Sequence, residues 1–277
     1  MWRVPASNAM IATLPVAVRQ LAIAGCVVLS LAVHPPSAGG DALSGRPAPD
    51  ADQLFERDDL PFHRYNGSFT FVRIRTGGGF GRFSGWAHDY PAAERNFLRI
   101  LHDLTAIQAR LVGSGGNVLR FEDPRLSQFP IAYVSEPDEW RTTPEEAAAA
   151  RRYLLKGGFL IFDDFFEWEM ANLVVQMRQV FPELEFLPLD GSEGIWNAFF
   201  TIDPLSVVLE GPRKSGTPRF WGLYEDNDKR KRMLAVAGAG GDIGDLWEWS
   251  DRGYFPVDPT NDAYRIGVNY IMYALTH

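Results

Sequence analysis

Cysteine is almost absent from this chain of 277 residues. Its single cysteine, Cys26, lies inside an apolar stretch close to the N-terminus. If that stretch is removed by processing, the remaining protein contains no thiol. Disulfide bonds, thiolate metal sites and cysteine nucleophiles are then all excluded.

The chain also lacks a run of about 20 apolar residues, which is the length that a transmembrane helix needs. A shorter run, Leu21–Val33, follows two basic residues, Arg3 and Arg19, and precedes the small residues of Ser37–Gly40. This arrangement is typical of a secretory signal peptide. We predict a signal peptide over residues 1–40 and a periplasmic or secreted protein, with an uncleaved membrane anchor as the alternative.

Positive charge is scarce as well. Beyond residue 40 the chain has 25 Lys and Arg residues against 35 Asp and Glu residues, a net charge of −10. Such a balance does not favour binding to nucleic acid or to anionic lipid. The predicted partner is a small polar ligand or a protein of the cell envelope. Membrane contact is expected only through the N-terminal segment, if that segment is retained.

Residues 41–67 are rich in Gly, Pro, Ala and Asp and are predicted to be a flexible linker. Residues 68–277 are predicted to form one α/β domain. Apolar runs indicate strands at Phe69–Arg75, Ile131–Val134 and Phe159–Phe162, separated by segments with helical periodicity. Strands that alternate with helices predict a mainly parallel sheet covered on both faces, so we expect these three strands to be adjacent and parallel. Later strand-like runs predict an antiparallel edge.

Two carboxylates, Asp163 and Asp164, follow the Phe159–Phe162 strand directly. The carboxyl ends of the central strands are where ligands bind in open α/β sheets. Two close carboxylates suit a hard cation or a shared proton, and they equally suit the fixing of a loop through backbone N–H groups. Both interpretations are open at this point.

Two further segments are expected at the same edge of the sheet, Ser84–Asp89 and the predicted loop Asp242–Trp249. The tryptophans of the second segment suit either sugar stacking or plain packing. The histidines show no spacing typical of a zinc site, so no metal and no cofactor is predicted. The candidate ligand-binding residues are Ser84, Trp86, His88, Asp89, Asp163, Asp164, Asp242, Trp247, Glu248 and Trp249.

Several motifs together closely resemble a bacterial domain-of-unknown-function family, number 4159. They are Gly81–Pro91, Glu94–Leu98, Lys156–Phe165, Trp247–Trp249 and Asn269–His277. The family is similar in fold to class I glutamine amidotransferases, and the resemblance implies a flavodoxin-like α/β core. The amidotransferase nucleophile would fall near Asp163 and Asp164, where no cysteine stands, so the usual thiolate chemistry is excluded. A His-Pro pair expected from the family is replaced here by Ser192–Trp196.

Two functional hypotheses follow. The first is a non-catalytic ligand- or partner-binding module that uses an inactive amidotransferase-like crevice. The second is a hydrolase that acts on a small polar or sugar substrate, with or without a bound divalent cation, and in which His88, Asp163 and Asp164 are the acid–base candidates. The first is favoured because no set of nucleophile, base and orienting group can be assembled from the sequence. A short distance between His88 and either aspartate would favour the second.

Overall fold

The structure is a computed structural model that describes residues 60–77, 85–210 and 215–277. The predicted signal peptide, most of the predicted linker, and Ser84 lie outside the described residues. Among the residues that are described, no helix combines the length and the apolar character needed to cross a membrane.

Nine strands are present in the described part of the chain. They are β1 (Val72–Ile74), β2 (Asn117–Leu119), β3 (Ile131–Ser135), β4 (Phe159–Asp163), β5 (Phe186–Pro188), β6 (Leu209–Glu210), β7 (Ser215–Gly216), β8 (Arg219–Tyr224) and β9 (Met233–Ala239). Seven of them form one sheet in the order β2-β1-β3-β4-β9-β8-β5, while β6 and β7 form a separate antiparallel pair.

Within the same described residues, five α-helices accompany the sheet. They are α1 (Ala92–Leu104), α2 (Pro144–Leu155), α3 (Met170–Val180), α4 (Ile243–Glu248) and α5 (Val257–Thr276). The start of α2 is encoded locally, because Thr143 and Glu146 form a capping box and Pro144 occupies the first helical position. The predicted start of this helix is confirmed.

The predicted pairing of the three strands is confirmed, since β1, β3 and β4 are adjacent and parallel. The parallel strands follow the order β2-β1-β3-β4-β9, which is the 2-1-3-4-5 order of flavodoxin-like sheets. At the other edge, β8 and β5 run antiparallel, as expected from the later strand-like runs. The α/β class is therefore confirmed, whereas the closer likeness to glutamine amidotransferases stays a prediction.

The sheet buries an apolar core on each face because successive strand residues point to opposite sides. Phe71, Tyr133 and Ile161 lie in the core that also contains Phe97 of α1 and Ile266 of α5. The core on the opposite face contains side chains of the same strands, together with residues of α2 and α3. Burying one such apolar side chain contributes about 1.5–3 kcal/mol. The carboxyl edge of the sheet is therefore held between two packed layers.

Some elements differ from the sequence-based expectation. The regular part of β1 is shorter than predicted, because the backbone at Phe69 pairs instead with residues 108–110. The three-residue strand β2 was not predicted. The predicted loop Asp242–Trp249 is wrong, since it contains the helix α4. The last helix begins at Val257, six residues before the predicted Ala263.

Candidate functional site

Acidic side chains converge at the carboxyl edge of the parallel strands. Glu136 follows β3, Asp163 and Asp164 close β4, and Asp242 follows β9. Asp89 reaches the same place from the segment that precedes α1. Atoms able to bind a cation lie within 4.8 Å of one another in the set of Asp89, Asp164 and Asp242. We call this region the acidic crevice.

Two more sets of the same kind adjoin the central one. His88 and Glu136 form a set with Asp164, and Asp245 and Glu248 form a set with Asp89. The first of these sets shares Asp164 with the central set, and the second shares Asp89. Only the central set is buried in all three of its members, among the sets found in the described residues.

His88 is held by two carboxylates. Its Nδ1 lies 2.9 Å from Oε1 of Glu136 and 3.5 Å from Oδ2 of Asp164, while the side chain stays 47% exposed. Hydrogen bonding to Asp164 and Glu136 raises the pKa of His88 to about 11. The imidazole is therefore protonated at neutral pH and supplies positive charge to the rim of the crevice.

Arg73 of β1 fixes the segment that carries His88. Its Nη1 donates to the carbonyl oxygens of Trp86 at 2.9 Å and of His88 at 2.6 Å, and its Nε donates to Glu94. Arg73 and Glu94 are both about 1% exposed. Arg73 thus combines a buried ion pair with the support of a loop. Arg95, a second arginine close to Asp89 in the sequence, donates to the Gly113 carbonyl oxygen at 3.4 Å.

Asp163 is engaged in holding α4 against the sheet. Its Oδ2 accepts hydrogen bonds from the Tyr133 hydroxyl at 2.8 Å and from the backbone N–H groups of Ile243 and Gly244, both at 3.1 Å. The residue is 3% exposed. For Asp163, these contacts favour the structural interpretation, in which a carboxylate orders backbone amides.

Asp164 occupies a different environment, although it is the next residue. It accepts a hydrogen bond from the Ser135 hydroxyl at 3.3 Å and lies beside His88. Its backbone is left-handed, with φ of 63°, and the same holds for Asp89 at 62° and Glu136 at 44°. Sparsely populated backbone conformations cost on the order of 1–3 kcal/mol each and cluster at functional sites. Three such residues meet in this crevice.

Asp89 and Asp242 are buried carboxyls with unequal partners. Oδ1 of Asp242 accepts from the N–H of Asp245 at 2.8 Å and caps α4, whereas Oδ2 of Asp89 is buried without a hydrogen-bond partner. Burial, followed by the charge of Asp164, raises the pKa of both carboxyls well above the usual range. The crevice is therefore short of positive charge.

Gly244 makes room for Asp89. A Cβ atom at this position would lie 2.5 Å from Oδ2 of Asp89 and 2.9 Å from the Tyr133 hydroxyl oxygen. Carbon atoms do not approach oxygen so closely without displacing it. The absence of a side chain at residue 244 is thus part of the construction of the crevice.

The tryptophans of the candidate set are placed for packing. Trp86 and Trp247 are each 2% exposed, and the Trp247 ring stacks on Phe97 with centroids 4.4 Å apart. Trp249 is half-buried and lies 5.5 Å from the Tyr254 ring. For Trp247 the structure favours packing over sugar stacking.

A family model described as a domain of unknown function, DUF4159, matches residues 70–275. The chain belongs to the DUF4159 family. No curated protein matches the chain significantly. The resemblance inferred from the sequence motifs is confirmed, and the DUF4159 match includes every residue of the acidic crevice.

Sequence reasoning missed Glu136 as a member of this site. Glu136 immediately follows Ser135, the last residue of β3, so the rule that directed attention to Asp163 and Asp164 applies to it equally. Gly244 was also missed, because its importance arises from a tertiary approach that no local pattern displays. Ser84, the remaining candidate, lies outside the described residues.

Proposed function

We propose that the DUF4159 domain of this chain is a binding module whose acidic crevice receives a ligand through the ligand's positive charge. The observation that carries this proposal is the buried Oδ2 of Asp89, which has no hydrogen-bond partner and lies among other carboxyls. Burying a polar group without a partner costs about 1–3 kcal/mol. A cationic group in the crevice would remove this cost.

The distribution of charge supports the same conclusion. Asp89, Asp164 and Asp242 are all buried, and the cations that act on Asp89 are Arg73 and His88. Arg73 is already committed to the Glu94 carboxylate, and His88 is shared between Glu136 and Asp164. Both cations near the crevice are therefore already paired with other carboxylates. A positively charged ligand would supply the charge that the buried aspartates lack.

The end of β4 also favours binding over amidotransferase chemistry. Asp164 stands in the sharp, left-handed turn after a central strand, which is the kind of turn that presents the nucleophile in several α/β enzymes. Here the side chain is a carboxylate and the residue is 1% exposed. A thiolate reaction is excluded at this position.

Hydrolysis is a second candidate function, and two contacts of His88 favour it. Its Nδ1 lies 3.5 Å from Oδ2 of Asp164, which is the short distance to an aspartate expected for this function, and 2.9 Å from Oε1 of Glu136. An imidazole oriented by a carboxylate is the usual arrangement of a general acid or base. With a pKa near 11, His88 would act as an acid in the free crevice, and water would be the attacking group. Chromogenic esters, phosphomonoesters and glycosides test this candidate. Turnover that is lost in His88→Ala supports it, and no turnover of any of them removes it.

Thermal unfolding and calorimetry test the binding function. Spermidine, glucosamine, lysine and arginine are suitable cationic probes, and they are added in EDTA so that metal ions do not contribute. A ligand at 100 times its Kd should stabilise the fold by about 2.7 kcal/mol. We expect Asp89→Asn to lose this response and Asp103→Asn, an exposed aspartate of α1, to keep it. Equal responses in both variants would contradict the proposal.

We further propose that the domain works outside the cytoplasm, where its partner is a small polar molecule or a protein of the cell envelope. Arg3, Arg19 and the Leu21–Val33 run motivate this proposal. N-terminal sequencing of the exported protein should begin near Asp41. Recovery of the full-length chain from the cytosol would contradict export, and an exported chain that retains residues 1–40 would indicate the membrane anchor.

A further inference from the structure

We infer that Asp89, Asp164 and Asp242 bind a hard divalent cation. This inference rests on the proposed function and deepens it, because it names the class of cation and its ligands. The sequence alone left a hard cation open at Asp163 and Asp164 without predicting a metal site, and the set inferred here shares only Asp164 with that pair. Aspartates 89, 164 and 242 come from three separate parts of the chain, so the set exists only in the folded domain.

The spacing of the set suits such an ion. Oxygen ligands bind Ca²⁺ at about 2.3–2.6 Å, so two oxygens on opposite sides of the ion are about 4.6–5.2 Å apart. One oxygen from each of the three aspartates lies within 4.8 Å of the others. The three carboxylates can therefore surround one ion with little movement. Mg²⁺, with opposite oxygens about 4.2 Å apart, fits after a small contraction.

The unpartnered oxygen of Asp89 is an independent sign of a missing ligand. A cluster of acidic side chains alone is common in proteins, but its members normally find donors or water. Oδ2 of Asp89 is buried, has no hydrogen-bond partner, and belongs to a residue that is 8% exposed. Gly244 keeps a side chain away from this oxygen, which a Cβ atom would approach to 2.5 Å.

Two of the three ligands are oriented by a second interaction, as in known metal sites. The Ser135 hydroxyl donates to Asp164, and the Asp245 N–H donates to Oδ1 of Asp242. The backbone of Asp89 is fixed because its carbonyl accepts from the N–H of Ala93 at 2.9 Å. The carboxylates of Asp164 and Asp242 are therefore oriented by hydrogen bonds, and the backbone that carries Asp89 is fixed in place.

The chemistry of the donors selects the ion. Three carboxylates offer only oxygen, which suits Ca²⁺, Mg²⁺ or Mn²⁺, whereas zinc and copper favour nitrogen and sulfur. The nearby imidazole of His88 is not a member of this set, because its Nδ1 contacts Glu136 and Asp164. Protons shared among the three buried carboxyls would also neutralise their charge. The experiment must therefore distinguish protonation from metal binding.

Calorimetry on the full chain, stripped with EDTA, tests the site directly. Ca²⁺, Mg²⁺ and Mn²⁺ are titrated separately at constant pH, and thermal unfolding is recorded with and without each ion. We expect one ion per chain, an increase in Tm that EDTA reverses, and affinity reduced about 10-fold or more in Asp89→Asn and Asp242→Asn. Asp103→Asn serves as the charge-matched control and should bind as the unaltered protein does.

A second measurement does not depend on the variants folding. Tb³⁺ replaces Ca²⁺ at oxygen sites and emits when a neighbouring aromatic ring is excited, and the Tyr133 hydroxyl lies next to the crevice. We expect sensitised emission in the unaltered protein that Ca²⁺ displaces. Absence of binding by all three ions and by Tb³⁺ would overturn the inference, as would equal affinity in Asp89→Asn and Asp103→Asn.

The outcomes also separate this inference from the proposed function. If organic cations stabilise the protein in EDTA and metal ions do not, the metal site is wrong and the binding function stands. If neither organic cations nor metal ions bind, both proposals fail together, and shared protons account for the buried carboxyls.

Discussion

The Nη1 of Arg73 donates to the carbonyl oxygen of His88 at 2.6 Å, so a buried residue of β1 determines where an exposed imidazole lies. The same guanidinium is paired with Glu94 and lies 4.9 Å from the centre of the Tyr133 ring. Arg73 is therefore part of the core and of the site at once. Substitutions can separate these two roles.

Replacing Arg73 with Met should destabilise the fold strongly. The Glu94 carboxylate would remain buried and unpaired, and breaking such a pair costs about 3–5 kcal/mol. The double variant Arg73→Met with Glu94→Leu should recover most of this loss, because both charges are then absent. We expect the double variant still to bind ligand poorly, since the Trp86 and His88 carbonyls have lost their donor. Urea unfolding measures the first effect and calorimetry the second. A double variant that is no more stable than Arg73→Met would contradict this account.

Asp163 and Asp164 should respond differently to substitution, although they are neighbours. Asp163→Ala leaves the N–H groups of Ile243 and Gly244 without their acceptor and should lower the free energy of unfolding by about 1–3 kcal/mol. Asp164→Asn keeps the size of the side chain and should weaken cation binding at a smaller cost in stability. Chemical denaturation and calorimetry on both variants check this division. The reverse pattern would assign the structural role to Asp164.

A methyl group at residue 244 should close the crevice. Gly244→Ala places a carbon in contact with Oδ2 of Asp89, and overpacking of this kind costs about 1–3 kcal/mol. Binding of Ca²⁺ or spermidine should fall together with stability. Gly113→Ala is the matched control, because a Cβ atom there meets no atom within 4 Å. Ligand binding by Gly244→Ala at the level of the control would show that Asp89 is not at the binding site.

The pH dependence of stability should contain a contribution from Asp138. Burial, with the charges of Glu169 and Glu136, raises the pKa of Asp138 from 3.8 to about 6. Between these pH values the folded state binds more protons than the unfolded state, so stability falls as pH rises through this window. The penalty is complete above pH 6 and absent below pH 4.

Asp138→Asn removes this titration. The variant should therefore gain stability relative to the unaltered protein at pH 7 and show no such gain at pH 4. Because Asp138 is partly exposed, solvent screens the effect and its size will be modest. Urea unfolding at the two pH values provides the comparison, with Asp103→Asn as the control. An identical difference at both pH values would contradict the prediction.

The parallel core of the fold was predictable because its signals are local. Each of the apolar runs at β3 and β4 ends at a polar residue and is followed by a helix, and the helix after β3 has its own start signal, the Thr143 capping box. The rule that the carboxyl ends of parallel strands share an edge places Asp163, Asp164 and Asp242 together from the sequence alone. These inferences require only the spacing of apolar residues along the sequence and the direction in which the strands run.

The elements that escaped prediction depend on contacts between distant residues. The strand β2 has only three residues, Asn117–Leu119. Such a segment is too short to show the alternation of apolar and polar residues that identifies a strand. The helix α4 contains Gly244, a poor helix former, and its first turn is held by the Asp163 carboxylate of β4. The inward direction of Trp247 follows from its stacking on Phe97 of α1. None of these relationships is visible in a local window of sequence.

The helix α4 has a consequence for spectroscopy. Within two turns it carries the Asp242 cap at one end and the Trp247 ring, stacked on Phe97, at the other. Any displacement of the first turn is thus transmitted to an asymmetric pair of aromatic chromophores. Near-ultraviolet circular dichroism should therefore detect occupation of the crevice without an added label, and the spectrum of Trp247→Phe would identify the origin of the signal.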